Sequence, residues 1–305
     1  MNKINLERNI CGVKFKNPLI AASGTCGFGQ EFEQFYPLST WGGLSLKGTT
    51  KNKRYGNKNP RIAETPSGIL NSVGLQNPGI DAFIENELPR LKNADTVLIA
   101  NIAGDTIEDM AYSVELLQNT DIDMIELNIS CPNVKKGGLA FGIYPEMVEK
   151  VTREVKAVSD KKPLIIKLSP NVADIACNAL AAQSGGADAI SLINTLSGMS
   201  IDIDTRKPIL ANVIGGLSGP AVKPVALRMV YQVCKAVDIP VIGMGGIMNA
   251  RDVVEFLLCG AQAVMIGTAN IVNPMAVKNI LAELENYCVE QNINDINELV
   301  GALEV

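Results

Sequence analysis

The chain of 305 residues contains no histidine. Histidine is the commonest general base near neutral pH and the commonest metal ligand. Proton abstraction must therefore fall to a thiolate, a perturbed lysine, tyrosine or carboxylate, or an assisted hydroxyl, and no metal site is expected. The seven cysteines include no Cys-x-x-Cys pair, which argues against structural zinc and against cysteine-ligated clusters held by this chain. Their odd number and irregular spacing point to a reduced intracellular protein rather than a disulfide framework. No apolar run approaches the roughly 20 residues that span a bilayer. A basic-then-apolar signal pattern is also lacking, so a cytoplasmic protein with no membrane partner is expected. Basic charge is in deficit: a net charge of −5 and a pI near 5.0 speak against non-specific nucleic-acid binding and a polybasic anchor.

What is present is a large apolar fraction, 47%, against 19% charged residues, enough for an extensive core. Short apolar runs alternate with helix-length amphipathic segments from end to end, with no low-complexity linker. Strands are predicted near 17–22, 43–47, 96–101, 123–128, 163–168, 188–193, 240–243 and 262–266. Helices are predicted near 79–92, 106–119, 144–159, 173–184, 220–236, 249–259 and 274–288, with a short one from Gln30 to Tyr36. Eight strand–helix alternations with nearly all-apolar strands imply a parallel sheet covered on both sides. An open doubly wound sheet would carry a Gly-x-Gly-x-x-Gly turn after its first strand. Ser23-Gly24-Thr25-Cys26-Gly27-Phe28-Gly29 does not fit that spacing. The expectation is a single (β/α)8 TIM barrel domain over 1–305. Its insertions, about 48–78 after strand two and 195–219 after strand six, are long enough to be functional.

Function in such a barrel gathers at the C-terminal ends of the strands. The predicted strands end at Ala22-Ser23, Lys47-Gly48, Asn101, Asn128, Lys167, Asn194-Thr195, Gly243-Met244-Gly245-Gly246 and Gly267-Thr268. Any one could be turn chemistry. Two lysines and three asparagines closing five strands instead describe a cationic mouth with donors and acceptors for an anion bearing amide or imide edges. The turns at Gly245-Gly246 and Gly267-Thr268 follow strands seven and eight, the usual phosphate site of these barrels, which favours a phosphorylated cofactor. Lys167 would lie across the barrel, where its charge could stabilise an anionic reduced ring.

The most informative stretch is Asn128-Ile129-Ser130-Cys131-Pro132-Asn133, directly after the apolar run ending at Leu127. A cysteine where a strand gives way to a loop, stopped by Pro132 and followed by Lys135-Lys136-Gly137-Gly138, is placed like a reactive group. Cys177, Cys234, Cys259 and Cys288 lie in helix-like segments. They are read as small core hydrophobes, as are Cys11 and Cys26.

Taken together, Asn71-Ser72-Val73-Gly74-Leu75-Gln76-Asn77, Asn128 to Asn133, Lys167-Leu168-Ser169-Pro170, Asn194-Thr195 and Gly243-Met244-Gly245-Gly246 resemble, in order and spacing, the class 1 dihydroorotate dehydrogenases, FMN barrel enzymes of pyrimidine biosynthesis. Asn194 to Met199, Arg206-Lys207-Pro208 and Gly215 to Pro220 look like the NAD-linked subclass, 1B. The resemblance implies that Cys131 is the base that takes a proton from C5 of dihydroorotate as hydride leaves C6, giving orotate, with Lys47 as second candidate. It implies substrate contacts from Lys47, Asn71, Ser72, Val73, Gly74, Leu75, Asn128, Asn133, Asn194 and Thr195. FMN contacts would come from Ser23, Lys47, Gly48, Asn101, Asn128, Lys167, Ile193, Gly219, Gly245, Gly246, Gly267 and Thr268. It further implies one FMN per chain and a homodimer within a heterotetramer, with an electron-transfer subunit carrying FAD and a 2Fe–2S cluster. This chain has no dinucleotide fingerprint of its own. The competing readings are the fumarate-linked 1A subclass, a tRNA dihydrouridine synthase, against which the acidic charge speaks, and a non-catalytic barrel binding a phosphate ligand.

Overall fold

The computed structural model describes residues 4–130 and 141–305. Eight parallel strands close into a barrel in chain order: Leu19–Ala21, Gly43–Ser45, Val97–Ile102, Met124–Asn128, Leu164–Lys167, Ala189–Leu192, Val241–Met244 and Ala263–Ile266. They coincide with the eight predicted strands. The predicted helices also form, as Ile107–Leu117, Pro145–Lys156, Ile175–Ser184, Lys223–Ala236, Ala250–Leu258 and Ala276–Glu290. The stretch Ile80–Leu91 is helical too, but passes from α through π to 3-10 geometry. The segment expected from Gln30 to Tyr36 is one turn, Gln30–Glu33. No helix among the described residues is long and apolar enough to cross a membrane.

The barrel strands are apolar on both faces for different reasons. Outward residues such as Leu44, Leu98, Ile125, Leu127, Ile166 and Val264 pack against the helices. Inward residues such as Ile20, Val97, Ile99, Met124, Ile165, Ile242 and Ala263 fill the lower barrel. A hairpin that the sequence reading missed, Arg8–Ile10 paired with Val13–Phe15, plugs the bottom with Ile10 and Phe15, both fully buried. A short helix after strand eight, Thr268–Val272, was also missed.

Side chains alternate sides along a strand, and the inward series changes character as it climbs. Strand two runs Gly43, Ser45, Lys47; strand three Val97, Ile99, Asn101; strand four Met124, Glu126, Asn128; strand five Ile165, Lys167. The apolar layers lie below, and the polar residues Ser45, Asn101, Glu126, Lys167 and Ser191 are buried above them.

The two insertions fold together. Leu196–Met199, Ile214–Ser218, Gly68–Asn71 and Ile62–Thr65 form, in that order, one four-stranded antiparallel sheet. It brings Gly216 opposite Asn71 and Leu217 opposite Leu70. Close approach requires glycine here, because a Cβ on Gly216 would lie 2.0 Å from Thr195 Oγ1 and one on Gly68 2.0 Å from Ser218 O.

Candidate active site

A cavity of about 620 Å³ lies where the strand ends meet the insertion sheet, within the roughly 300–1,000 Å³ usual for small-molecule sites. The last inward residue of each barrel strand lines it: Ala22, Lys47, Asn101, Asn128, Lys167, Ile193, Met244 and Gly267. Every sequence-predicted site residue within the described regions faces the same space. From the strand ends these also include Ser23, Gly48, Asn194, Thr195, Gly219, Gly245, Gly246 and Thr268. From the insertion come Asn71, Ser72, Val73, Gly74 and Leu75. Cys131, Asn133 and the 134–138 loop lie outside the described residues.

Hydrogen bonds fix many of these groups before any ligand arrives. Ser130 links two asparagines: its Oγ donates to Asn128 Oδ1 at 2.6 Å and accepts from Asn194 Nδ2. Asn194 Oδ1 in turn accepts from Thr195 N at 2.8 Å. Asn71 Nδ2 reaches Gly216 O at 3.3 Å, tying the substrate-side asparagine to the opposite insertion. Asn57 supports Ser72 from behind, donating to its carbonyl at 3.0 Å. Ser23 Oγ donates to Leu46 O at 2.7 Å.

The glycine turns are close-packed on their protein side. Gly246 has φ +76, and a Cβ there would sit 2.7–2.9 Å from Lys223 Cβ, Lys223 N and Gly219 O. Gly245, at φ +129, would place a Cβ 2.7 Å from Ala226 Cβ. Both glycines line the cavity and put bare backbone on its wall, a surface that suits an oxyanion. Nearby, Thr268 Oγ1 and Ser218 Oγ form a hydroxyl pair 2.8 Å apart.

The two lysines differ. Lys167 is nearly buried, its Nζ 3.9 Å from Glu126 Oε2. Burial pushes the Lys47 ammonium below its ordinary pKa, partly countered by Cys26 and reinforced by the positive charge of Arg61. Among the described residues no carboxylate oxygen lies within 4 Å of Lys47 Nζ. Asn101 Oδ1 is buried with no hydrogen-bond partner among the described residues, and a buried acceptor of this kind is suited to a ligand N–H.

Sequence reasoning missed Glu126, fully buried beneath the cavity, together with Ser45, Ser191 and Ser130. The available signal was an acidic residue inside an apolar strand, two residues from Asn128 and therefore on its face. It also misjudged Cys177. Cys26, Cys259 and Cys288 are buried, but Cys177 is exposed in the first turn of Ile175–Ser184, where Sγ lies 3.3 Å from Asp174 Oδ2. Hydrogen bonding to that carboxylate and its charge hold the thiol above its ordinary pKa.

A family model described as dihydroorotate dehydrogenase matches residues 5–288. The chain is 55% identical over 302 residues to the dihydroorotate dehydrogenase B (NAD(+)), catalytic subunit, of Thermoanaerobacter pseudethanolicus, covering 99% of this chain and 100% of that one. It is 56% identical over 303 residues to the protein of the same name from Alkaliphilus metalliredigens, again covering 99% and 100%. With that of Petrotoga mobilis it shares 54% over 300 residues, covering 98% and 100%.

Proposed function

The chain belongs to the dihydroorotate dehydrogenase family, and from that premise we propose that it oxidises (S)-dihydroorotate to orotate in pyrimidine biosynthesis as one FMN-binding barrel domain over 1–305. One observation carries the reading: a single cavity gathers Lys47, Lys167, Asn71, Asn128 and Asn194 beside the Gly245-Gly246 and Gly267-Thr268 turns. Lysine and asparagines complement a carboxylated ring with two N–H groups and two carbonyls, and the bare turns complement a phosphate.

The residues present fit FMN. Asn101 Oδ1 is a buried acceptor with no partner among the described residues, Lys167 is a buried cation, and the glycine turns line the cavity with bare backbone. Ser23, Gly48, Ile193, Gly219 and Thr268 would complete that side. When bound, the flavin supplies the hydride acceptor for the oxidation. This chain's residues do the rest. Lys47 holds the substrate carboxylate. Asn128 and Asn194, fixed through Ser130, hold the ring amides with Asn71 and the Ser72–Leu75 segment. Thr195 adds a hydroxyl at the same wall, and Asn133 is a further substrate contact by the family resemblance. Cys131 takes the C5 proton. Without histidine a thiolate is the strongest neutral-pH base this motif offers, and an ordinary thiol with a pKa of about 8.5 gives an alkaline rise in rate unless the site favours the thiolate.

The relatives' name, catalytic subunit of an NAD(+) enzyme, supports a partner subunit here; FAD and a 2Fe–2S cluster on that partner, to carry electrons to NAD, rest on the family resemblance of the sequence. It favours the NAD-linked over the fumarate-linked subclass. The expected assembly is cytoplasmic, two copies of this chain with two of the partner. The experiment is anaerobic mixing of the isolated chain with dihydroorotate. Its FMN should bleach and artificial dyes should be reduced, while NAD is reduced briskly only after the partner is added. A heat-released chromophore other than FMN, or none, overturns the cofactor assignment. Brisk NAD reduction by the chain alone overturns the partner.

A further inference from the structure

We propose that Glu126, a carboxylate sealed beneath the cavity floor, is a positioning residue that sets the orientation of Asn101 and the effective charge of Lys167, and through Lys167 the redox balance of a bound flavin. The inference rests on the flavin reading above and deepens it.

Glu126 is fully buried and does not line the cavity. Ser45 Oγ donates to Oε2 at 2.7 Å, Asn101 Nδ2 donates to Oε2 at 2.5 Å, and Ser191 Oγ donates to Oε1 at 2.6 Å. Four of the eight strands thus meet at one side chain, and Lys167 on a fifth lies 3.9 Å away. Packing does not explain the residue. The layer below is filled by Met124, Ile165, Ala189 and Ile242, and burying a carboxylate is expensive unless its partners do something an apolar side chain cannot.

The first consequence concerns Asn101. An amide offers donors on nitrogen and an acceptor on oxygen, whereas a carboxylate only accepts. Glu126 therefore takes the Nδ2 side and turns Oδ1 away from itself, leaving that atom buried with no partner among the described residues. That oxygen stands against Gly48, beside residues that line the cavity, so the side of Asn101 away from Glu126 is an acceptor, the polarity an imide N–H of a bound ring would meet. The second consequence concerns Lys167. At 3.9 Å the ammonium feels the carboxylate without being held by a short hydrogen bond, so its donors stay available to the cavity while part of its charge is offset. A cation beside the ring favours the anionic reduced flavin, and a carboxylate behind that cation restrains the preference.

The sign of the effect follows. Glu126→Gln keeps the shape and removes the restraint, so reduced flavin should gain affinity relative to oxidised. The test is a dye-equilibrated redox titration of the flavin-loaded chain. The expected result is a positive shift corresponding to about a tenfold change in the ratio of the two affinities, or about 30 mV for a two-electron couple. In a Lys167→Met background the same substitution should move the potential by less than about twofold, or about 9 mV. A titration of apoprotein with FMN gives the oxidised-state affinity independently of turnover. A folded, flavin-loaded Glu126→Gln chain with less than a twofold change overturns the proposal, as does a full shift when Lys167 is absent. If Glu126→Gln alone does not fold, Lys167→Met is compared with Lys167→Met/Glu126→Gln by thermal melting. The coupling requires the double variant, which leaves no lone buried charge, to melt higher. An equal or lower melting point overturns it. A parent chain that takes up no flavin overturns the functional reading itself, whereas flavin bound with an unmoved potential overturns only the role of Glu126.

Discussion

Gly246→Ala should separate the phosphate-side turn from general stability. Gly246 has φ +76, where an alanine pays about 1–2 kcal/mol for its Cβ. The new carbon also meets Lys223 Cβ at 2.7 Å, Lys223 N at 2.8 Å and Gly219 O at 2.9 Å. None of these is the free end of a flexible side chain. Lys223 begins the helix Lys223–Ala236, and its Nζ is anchored to Asp252 Oδ1 at 2.7 Å and to Glu255 at 3.0 Å. Relief must come from moving the turn, at an overpacking cost of about 1–3 kcal/mol. The total is about 2–5 kcal/mol. If about 2 kcal/mol of it is expressed as displacement of the turn from the ligand, FMN affinity falls by about thirtyfold. Gly12→Ala is the control, because Gly12 has φ +81 and a Cβ added there would meet nothing within 4 Å among the described residues. It lies in the hairpin at the barrel's lower end and should cost only the conformational strain. Fluorescence titration of apoprotein with FMN, beside thermal melting, reads both effects. Gly246→Ala should lower both affinity and melting temperature, and Gly12→Ala melting temperature alone. Parental FMN affinity in a folded Gly246→Ala chain would refute the reasoning, because the turn would then not be the ligand's cradle.

Cys131→Ala should slow flavin reduction by dihydroorotate about 10²–10⁴-fold, or about 3–5 kcal/mol of barrier, with FMN still bound. Stopped-flow reduction at the parental rate would move the base elsewhere, Lys47 being the next candidate. Ser130→Ala removes the hydroxyl joining Asn128 to Asn194. With neutral hydrogen bonds worth about 0.5–1.5 kcal/mol each, KM for dihydroorotate should rise about tenfold while FMN affinity moves far less; equal losses in both would show that the link serves the cofactor instead. Burial pushes the Cys26 thiol up to about 12 from an ordinary 9.0. The fold keeps this thiol protonated while the unfolded chain releases its proton above pH 9, so the contribution is complete below pH 9 and is lost as pH rises toward 12. Unfolding free energies from urea titrations between pH 8 and pH 11 should fall by about 1.4 kcal/mol per pH unit above 9 from this group, and Cys26→Ala should show a shallower slope; identical slopes would remove Cys26 as the source.

The barrel was legible because its strands are apolar on both faces, and runs such as Val97–Ile102 stand out against amphipathic helices. The same property hid the layer that matters chemically. With Ile125 and Leu127 facing the helices, Glu126 read as one charge in an apolar run rather than as the second member of the inward series Met124, Glu126, Asn128. The strand-end lysines, asparagines and glycines were legible because each stands at the last inward position or just beyond it. The insertion sheet was not. Its central pairing joins Gly68–Asn71 to Ile214–Ser218 across more than a hundred residues, its strands are four or five residues long, and their glycines are there for close backbone approach rather than turning. No local periodicity carries such a pairing. Cys177 was misread because Ile175–Ser184 is a short alanine-rich helix whose sequence barely distinguishes its faces. Three-residue strands left the bottom hairpin without a usable pattern.

The two cavity lysines divide a task that neither could perform alone. Lys167 and Glu126 lie 3.9 Å apart out of water, where opposite charges attract by about 4 kcal/mol at an effective dielectric constant of 20. As a pair they add little net charge to the cavity. Lys47 has no such partner among the described residues, and its depressed pKa records the cost of desolvating an ammonium near the like charge of Arg61. The excess positive charge of the mouth therefore resides on Lys47. An anion bound there would supply a countercharge and raise the Lys47 pKa back toward its ordinary value, offsetting the desolvation of the ammonium. An uncharged ring of the same shape would leave that penalty in place. On the function proposed above, this charge layout favours a carboxylated ring at Lys47, while Lys167, compensated from below by Glu126, would act on the ring of the cofactor.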